Sequence, residues 1–322
     1  MNNHKKYIMR LTKQEKIKFF NEGFLLKNNI FKNNDFDLLK IEINSIIQDM
    51  CNNYSKDFIL ENDFSELCFE ERLSSIYKSY PDLGKEIVES ISHGKFNESS
   101  ILKAIRHKKL VDCIANLIGN DIVASSIYRV RPKLPRFLYG EVPWHQDAGY
   151  QNPHCDNLLI ITCWIPLIDA DINNGCLWVA KGAHKQGIIK HIIDERTGYL
   201  KIPKKLIPEN IQPVEMKKGS VLFMTNLTPH GSFNNLSSKI RWSIDLRYQD
   251  FSVPNNINQT PNDYKKDKIK IKMACSPNEA YFVVRDNKFP ENELTDFLAF
   301  SKLRTEWYES FKNEDKPSLR WK

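Results

Sequence analysis

The chain has no run of eighteen apolar residues, so it offers no transmembrane helix. It also lacks the apolar stretch and small-residue cleavage site of a secretory leader: Met1 to Arg10 is basic and polar. Its seven cysteines, at 51, 68, 113, 155, 163, 176 and 275, contain no CxxC pair, which argues against a zinc ribbon, a redox dithiol or a disulfide framework. Charge of one sign is not dominant: 47 basic residues stand against 40 acidic ones. The lysines are dispersed among Asn and Ile, with no stripe interleaved with aromatics, so no nucleic-acid partner is expected. Internal repeats and linkers are absent too. These absences leave a soluble cytoplasmic protein of 322 residues, monomer or homodimer, with a small-molecule partner.

What is present changes character along the chain. Thr12 and Glu15 form the pattern of a capping box at a helix start, and Gly23 ends that helix before a strand over 24–30. Apolar residues at helical spacing predict helices over 35–50, 102–118 and 294–311. After Asp121 the period shortens: 122–130, 158–167, 176–180, 221–225 and 239–248 read as short strands between Pro, Gly, Asn and Asp clusters. Such a run of strands predicts a sandwich or barrel, mainly β with flanking helices. One domain is expected over 1–322, with a helical jacket at 1–120, a core at 121–250, and a loop and final helix at 251–322. The polar segment 250–267 reads as a loop or lid.

Chemistry concentrates in a few places. Trp144-His145-Gln146-Asp147 puts an imidazole and a carboxylate two residues apart, on one side of a strand if extended. His230 follows the strand 221–225, and Arg241 comes eleven residues later, an offset that a strand reversal turns into adjacency. Two His and one carboxylate on one face leave three open positions on a divalent metal, the arrangement of non-haem iron oxygenases. An arginine fork suits a carboxylate cosubstrate. Arg247 shares the strand side of Arg241, while Arg129 and Arg131 alternate on an early strand. With Gln146 and Tyr150, which flank the metal motif, these three arginines are the substrate candidates. His184 and Trp144 and Trp178 read as structural or core residues, His154 and His191 as loop or surface residues, and Asp169 and Asp171 as turn residues.

The sequence resembles the phytanoyl-CoA dioxygenase family of Fe(II)- and 2-oxoglutarate-dependent oxygenases. The resemblance rests on Leu-Thr-x-x-Glu with Phe-x-x-Glu-Gly-Phe-Leu, Trp-His-Gln-Asp-Ala-Gly-Tyr, Cys-Trp-Ile-Pro-Leu-Ile-Asp-Ala, Asn-Asn-Gly-Cys-Leu-Trp-Val-Ala-Lys-Gly-Ala-His-Lys, and His-Gly-Ser with Arg241 beyond it. It implies a double-stranded β-helix (jelly-roll, cupin-like) barrel. It also implies iron at His145, Asp147 and His230, Arg241 on the 5-carboxylate of 2-oxoglutarate, and Ser232 and Trp164 near the cosubstrate. The implied reaction consumes O2, converts 2-oxoglutarate to succinate and CO2, is supported by ascorbate, and oxidises a C–H bond by hydroxylation, desaturation or cyclisation. Related halogenases lack the metal carboxylate, so Asp147 points away from halogenation. The substrate expected is a small anionic or amino-acid-derived specialised metabolite. The alternatives are an acyl-CoA hydroxylase of the same family, a hydrolytic zinc enzyme and a jelly-roll binding protein without turnover.

Overall fold

The structure is a computed structural model that describes residues 9–92, 95–125, 128–137, 140–151, 158–250 and 281–312, with residues 153, 156 and 321. Thr12 caps α1 (Lys13–Glu22) through the reciprocal bonds read in the sequence: its hydroxyl accepts from the Glu15 N–H, and the Glu15 carboxylate accepts from the Thr12 N–H. Gly23, at φ 85°, ends α1. β1 (Phe24–Lys27) is shorter than the run 24–30, because Asn29 turns to φ 60° and breaks the extension.

α2 (Asp37–Asp57) extends beyond its predicted end and buries Leu39, Ile43, Ile47 and Cys51, four residues apart on one face. Two helices went unpredicted, α3 (Phe69–Ser79) and α4 (Pro81–Ile91). Pro81 starts α4 at a position where its missing N–H costs nothing. The single helix expected over 102–118 is two, α5 (Ser99–Ile105) and α6 (Lys108–Ile118), because His107 at ψ 119° leaves the helical region. Among the described residues no helix is long and apolar enough to cross a membrane. Cys51, Cys113, Cys163 and Cys176 are buried free thiols, whereas Cys68 is exposed. His154, Cys155 and Cys275 lie outside the described residues.

The strands are β2 (Ile122–Ser125), β3 (Arg129–Lys133), β4 (Val142–His145), β5 (Ile161–Pro166), β6 (Leu177–Ala180), β7 (Ile192–Ile193), β8 (Leu200–Lys201), β9 (Ile211–Val214), β10 (Val221–Thr225), β11 (His230–Ser232), β12 (Arg241–Asp250) and β13 (Tyr281–Arg285). A seven-stranded sheet runs β1-β10-β5-β12-β2-β13, with β3 also on β12. A four-stranded sheet runs β4-β11-β6-β9, and β7 and β8 form a hairpin. The segment 250–267, apart from Asp250 at the end of β12, falls outside the described residues.

Strand alternation sorts the larger sheet into two faces. On β5 and β12, Ile161, Cys163, Ile165, Trp242, Ile244, Leu246 and Tyr248 join the core that the helices cover. Trp164 of β5 and Leu222 and Met224 of β10 pack instead with Leu177, Val179 and Val214 of the smaller sheet. The C-terminal helix Phe297–Lys312 adds Phe300 to the helical side, against Tyr128 and Phe282. Antiparallel sheets face each other under a helical cover, and the side chains between the sheets carry the chemistry.

Candidate active site

β11 lies between β4 and β6, and His230 is the register partner of His145. The two imidazoles therefore stand side by side, ring centroids 4.3 Å apart. Gly231 permits this approach: a Cβ there would lie 3.0 Å from the Val142 carbonyl and 3.2 Å from the Trp144 nitrogen. Each histidine donates Nδ1–H to the carbonyl two residues earlier, His145 to Pro143 at 2.8 Å and His230 to Thr228 at 2.9 Å. A proton at Nδ1 makes Nε2 the ring atom that could ligate a metal. Burial, then the neighbouring His230, pushes His145 down to about 3, so it is neutral near pH 7. The Thr228 hydroxyl in turn donates to the carbonyl of Gly23, at the far end of the chain.

Asp147 does not share the strand with His145. β4 stops at His145, and Asp147 opens a 3-10 turn over Asp147–Tyr150, so the two ligand candidates meet through a turn rather than by strand period. The turn is pinned by the Ala148 N–H on the Asn226 carbonyl. Asp147 Oδ1 lies 3.8 Å from His145 Nε2, and one atom from each of His145, Asp147 and His230 falls within 4.8 Å of the others. Thr162 donates its hydroxyl to Oδ2 at 2.5 Å, and Arg247 Nη2 reaches Oδ1 at 3.2 Å. Burial opposes ionisation of this carboxyl, but Arg247, the two imidazoles and the Thr162 bond outweigh it and hold it well below the usual carboxylate range.

Arg241 approaches from the opposite sheet. The eleven-residue offset from His230 is therefore not a reversal within one sheet; it carries the chain from β11 across to β12. Arg241 is 2% exposed, its guanidinium lies 5.1 Å over the Trp164 ring, and Nη1 donates to Ser243 Oγ. Its Nε and the Ser232 hydroxyl are buried without a hydrogen-bond partner among the described residues. Burial, then the charge of Arg131, pushes Arg241 down to about 9. A cavity of about 40 Å³ brings together the triad, Ser232, Trp164, Arg241, Thr162, Arg131 and Arg247.

Beside it lies a chamber of about 310 Å³ that shares Arg131, Val142 and Arg241 as walls. Its charged lining is Lys85, Arg129, Arg131, Lys133 and Arg241 against Glu89 and Glu141. Arg196 already pairs with Glu141 at 2.6 Å, and Arg131 grips Asp245 through two bonds of 2.6 and 3.2 Å. Burial, then the neighbouring cations Arg304, Arg131 and Arg247, pushes Arg129 down to about 9.

Other expectations fare differently. Gln146 lines neither of these cavities: it is fully buried, and its amide bonds the backbone of Gly187, Leu227 and Ile189. Tyr150 sets its ring edge on His145 and accepts from the Leu200 N–H. His191, expected in a loop or at the surface, precedes β7 outside any regular element but is fully buried, where its Nε2 accepts from the Gln146 N–H and Nδ1 meets the Ile189 carbonyl. His184 meets the Phe20 carbonyl, and Trp144 is a core residue with Ala180, Ala183 and Ile202, while Trp178 packs beside them. Asp171 exchanges bonds with Asn174 across a turn, and Asp169 accepts from Lys217 and Lys218. Sequence reasoning overlooked Thr162, Ser243 and Asp245. The last two sit between Arg241 and Arg247 at strand period, a signal that was present; Thr162 carries none in the sequence.

The donor set suits a divalent first-row metal: two imidazoles whose Nδ1 atoms are turned to backbone carbonyls, and one ionised carboxylate. The Arg241 Nε and Ser232 hydroxyl, without a partner among the described residues, suit a bound carboxylate. The phytanoyl-CoA dioxygenase (PhyH) family model matches residues 63–243, which contain all five of these residues. A phytanoyl-CoA dioxygenase of Arabidopsis thaliana is 34% identical over 137 residues, 38% of this chain and 47% of that protein; the chain thus spans about half of that relative's length. The phytanoyl-CoA dioxygenase domain-containing protein 1 of Danio rerio is 25% identical over 260 residues, 72% of this chain and 87% of that one. In fold the chain is similar to the non-heme monooxygenase ThoJ, with a TM-score of 0.54 at 16% identity, covering 92% of this chain and 99% of that one. With the matched region extending over more than half of its length, the chain belongs to the phytanoyl-CoA dioxygenase family of iron- and 2-oxoglutarate-dependent oxygenases.

Proposed function

We propose that the protein oxidises a C–H bond of a small anionic metabolite, with His145, Asp147 and His230 holding Fe(II) and Arg241 binding the 5-carboxylate of 2-oxoglutarate. The observation that carries this reading is one cavity lined by both a two-histidine, one-carboxylate set and a guanidinium that has no carboxylate partner among the described residues. Bound iron would supply the oxidising chemistry, with O2 and 2-oxoglutarate consumed and succinate and CO2 released, and ascorbate would keep it reduced. The chain's own part is to bind and orient. The Pro143 and Thr228 carbonyls fix both imidazole tautomers. Ser232 and Trp164 flank Arg241 where the cosubstrate carboxylate would lie. The presence of Asp147 favours hydroxylation, desaturation or cyclisation over halogen transfer.

The substrate class follows from the adjoining chamber. Its volume is at the lower end of small-molecule pockets, roughly 300–1,000 Å³. Fe(II) and 2-oxoglutarate cancel in charge, so filling the metal cavity leaves the excess of cations around Arg129 and Arg131 in place. A carboxylate or phosphate on the substrate would meet it. The test is succinate formation from 2-oxoglutarate with Fe(II) and ascorbate, over a panel of small carboxylates, phosphate monoesters and their neutral amides or alcohols. Iron-dependent succinate release, stimulated by anionic members and blunted in Arg129→Met, is expected. No succinate under any condition refutes the oxygenase reading, and stimulation by the neutral members alone refutes the substrate class.

A further inference from the structure

The two histidines are oriented by their own sheet, but the carboxylate is not. Asp147 rises from a turn, and its side chain is aimed from across the cavity by the larger sheet. Thr162 on β5 and Arg247 on β12 are register partners there, both directed inward, and they hold different oxygens of the same carboxylate. An ionised carboxylate has no proton to give, so the threonine hydroxyl is the donor and Oδ2 is spent on it. Oδ1, which Arg247 meets from one side at 3.2 Å, is the oxygen on the imidazole side, 3.8 Å from His145 Nε2.

We propose that Thr162 is the positioning residue of this site: by occupying Oδ2 it presents Asp147 to the metal through Oδ1 alone. The inference rests on the metal-site reading above. Its consequence is the number of positions left for ligands. With single-oxygen ligation the triad takes three positions of a six-coordinate ion and leaves three. Two-oxygen ligation would take a fourth, and cosubstrate and O2 together would then be short of one. Arg247 cannot be credited with the same role on this observation, because its charge both attracts the carboxylate and opposes a divalent cation. Thr162 is neutral, so removing its hydroxyl separates aiming from charge.

The site around Thr162 admits a clean perturbation. It is 3% exposed on a central strand, and valine copies its shape and branching without the hydroxyl. Co(II) would be titrated calorimetrically into wild type, Thr162→Val, Thr162→Ser and Asp147→Ala without 2-oxoglutarate, and the visible spectrum of bound Co(II) recorded. Thr162→Val should bind Co(II) about 10- to 100-fold more weakly and shift its spectrum, as expected when the partner of a ligand is removed. Thr162→Ser, which keeps the hydroxyl, should restore both. Should Thr162→Val fail to fold, Thr162→Ala serves as the second hydroxyl-free variant. A loss below about threefold with an unchanged spectrum overturns the proposal, as does a Thr162→Ser as weak as Thr162→Val. Asp147→Ala separates the two layers of argument. If it binds Co(II) like wild type, the metal-site reading fails; if it weakens binding while Thr162→Val does not, only the role of Thr162 fails.

Discussion

Replacing Arg241 with methionine should push two measurable quantities in opposite directions. The guanidinium is 2% exposed, Nη1 donates to Ser243, and Nε has no partner among the described residues. Burial, then Arg131, lowers its pKa from an ordinary 12.5 to about 9, which corresponds to on the order of 5 kcal/mol against the charged form. At every pH below about 9 the group is charged both folded and unfolded, so the whole penalty falls on the ligand-free folded chain and fades only as pH rises from there toward 12.5. Methionine keeps a flexible stem over Trp164 and removes the charge, so Tm of the ligand-free protein should hold or rise. Binding of 2-oxoglutarate should move the other way. Its buried carboxylate would lose a charged partner, a loss of about 3–5 kcal/mol, or roughly two to three and a half powers of ten in Kd. Thermal melts, and calorimetric titration of 2-oxoglutarate into the Ni(II)-loaded chain, read both quantities. A Kd within about threefold of wild type would place the carboxylate anchor elsewhere. A steep fall in Tm would show that the guanidinium serves the fold rather than the ligand.

The pH dependence of stability offers a second check. His145 is held neutral down to about 3 while an unfolded chain takes up the proton near 6.5, so its contribution to stability is intact above 6.5 and is lost as pH falls toward 3. That loss reaches on the order of 5 kcal/mol, and urea midpoints of wild type should fall more steeply across this range than those of His145→Gln; parallel curves would contradict the assignment. Gly231→Ala would force a methyl against the β4 backbone at 3.0–3.3 Å, and strand movement should cost about 1–3 kcal/mol in a denaturant titration and weaken Co(II) binding. A Gly231→Ala chain with wild-type stability would mean that β4 and β11 yield more easily than packed strands do.

How much of this was legible depended on whether a residue's own chemistry or its partner carried the information. His145, Asp147, His230 and Arg241 stand out in the sequence because their side chains are unusual together and few other roles need them. Thr162 stands out in nothing; its part emerges only when β5 and β12 align it with Arg247. The strand 221–225 was readable to the residue, and the alternation on β12 correctly predicted that Arg241 and Arg247 share a side. Period identifies a face, however, and not a neighbour, so the assignment of β11 and β12 to different sheets lay beyond it. α4 was readable in principle from Leu83, Ile87 and Ile91 at helical spacing behind Pro81, a residue suited to a first helical turn. The break at His107 hides inside a charged stretch, Arg106 to Lys109, that continues a helical pattern in composition while departing from it in backbone angle.

The bond from Thr228 to the Gly23 carbonyl spans 205 residues, and the Thr228 carbonyl is what fixes the ring of His230. Gly23 lies ahead of the region matched by the family model, so a length of chain outside that region supports the orientation of the His230 ring inside it. On a growing chain, Gly23 is made early, and its carbonyl must wait for the turn between β10 and β11 before it finds that partner. Contacts of such sequence separation form slowly, because the closure entropy is lost before any bond is gained. On the metal-site reading proposed above, the ring of His230 is therefore fixed only late in folding, and so is the site that would take up iron.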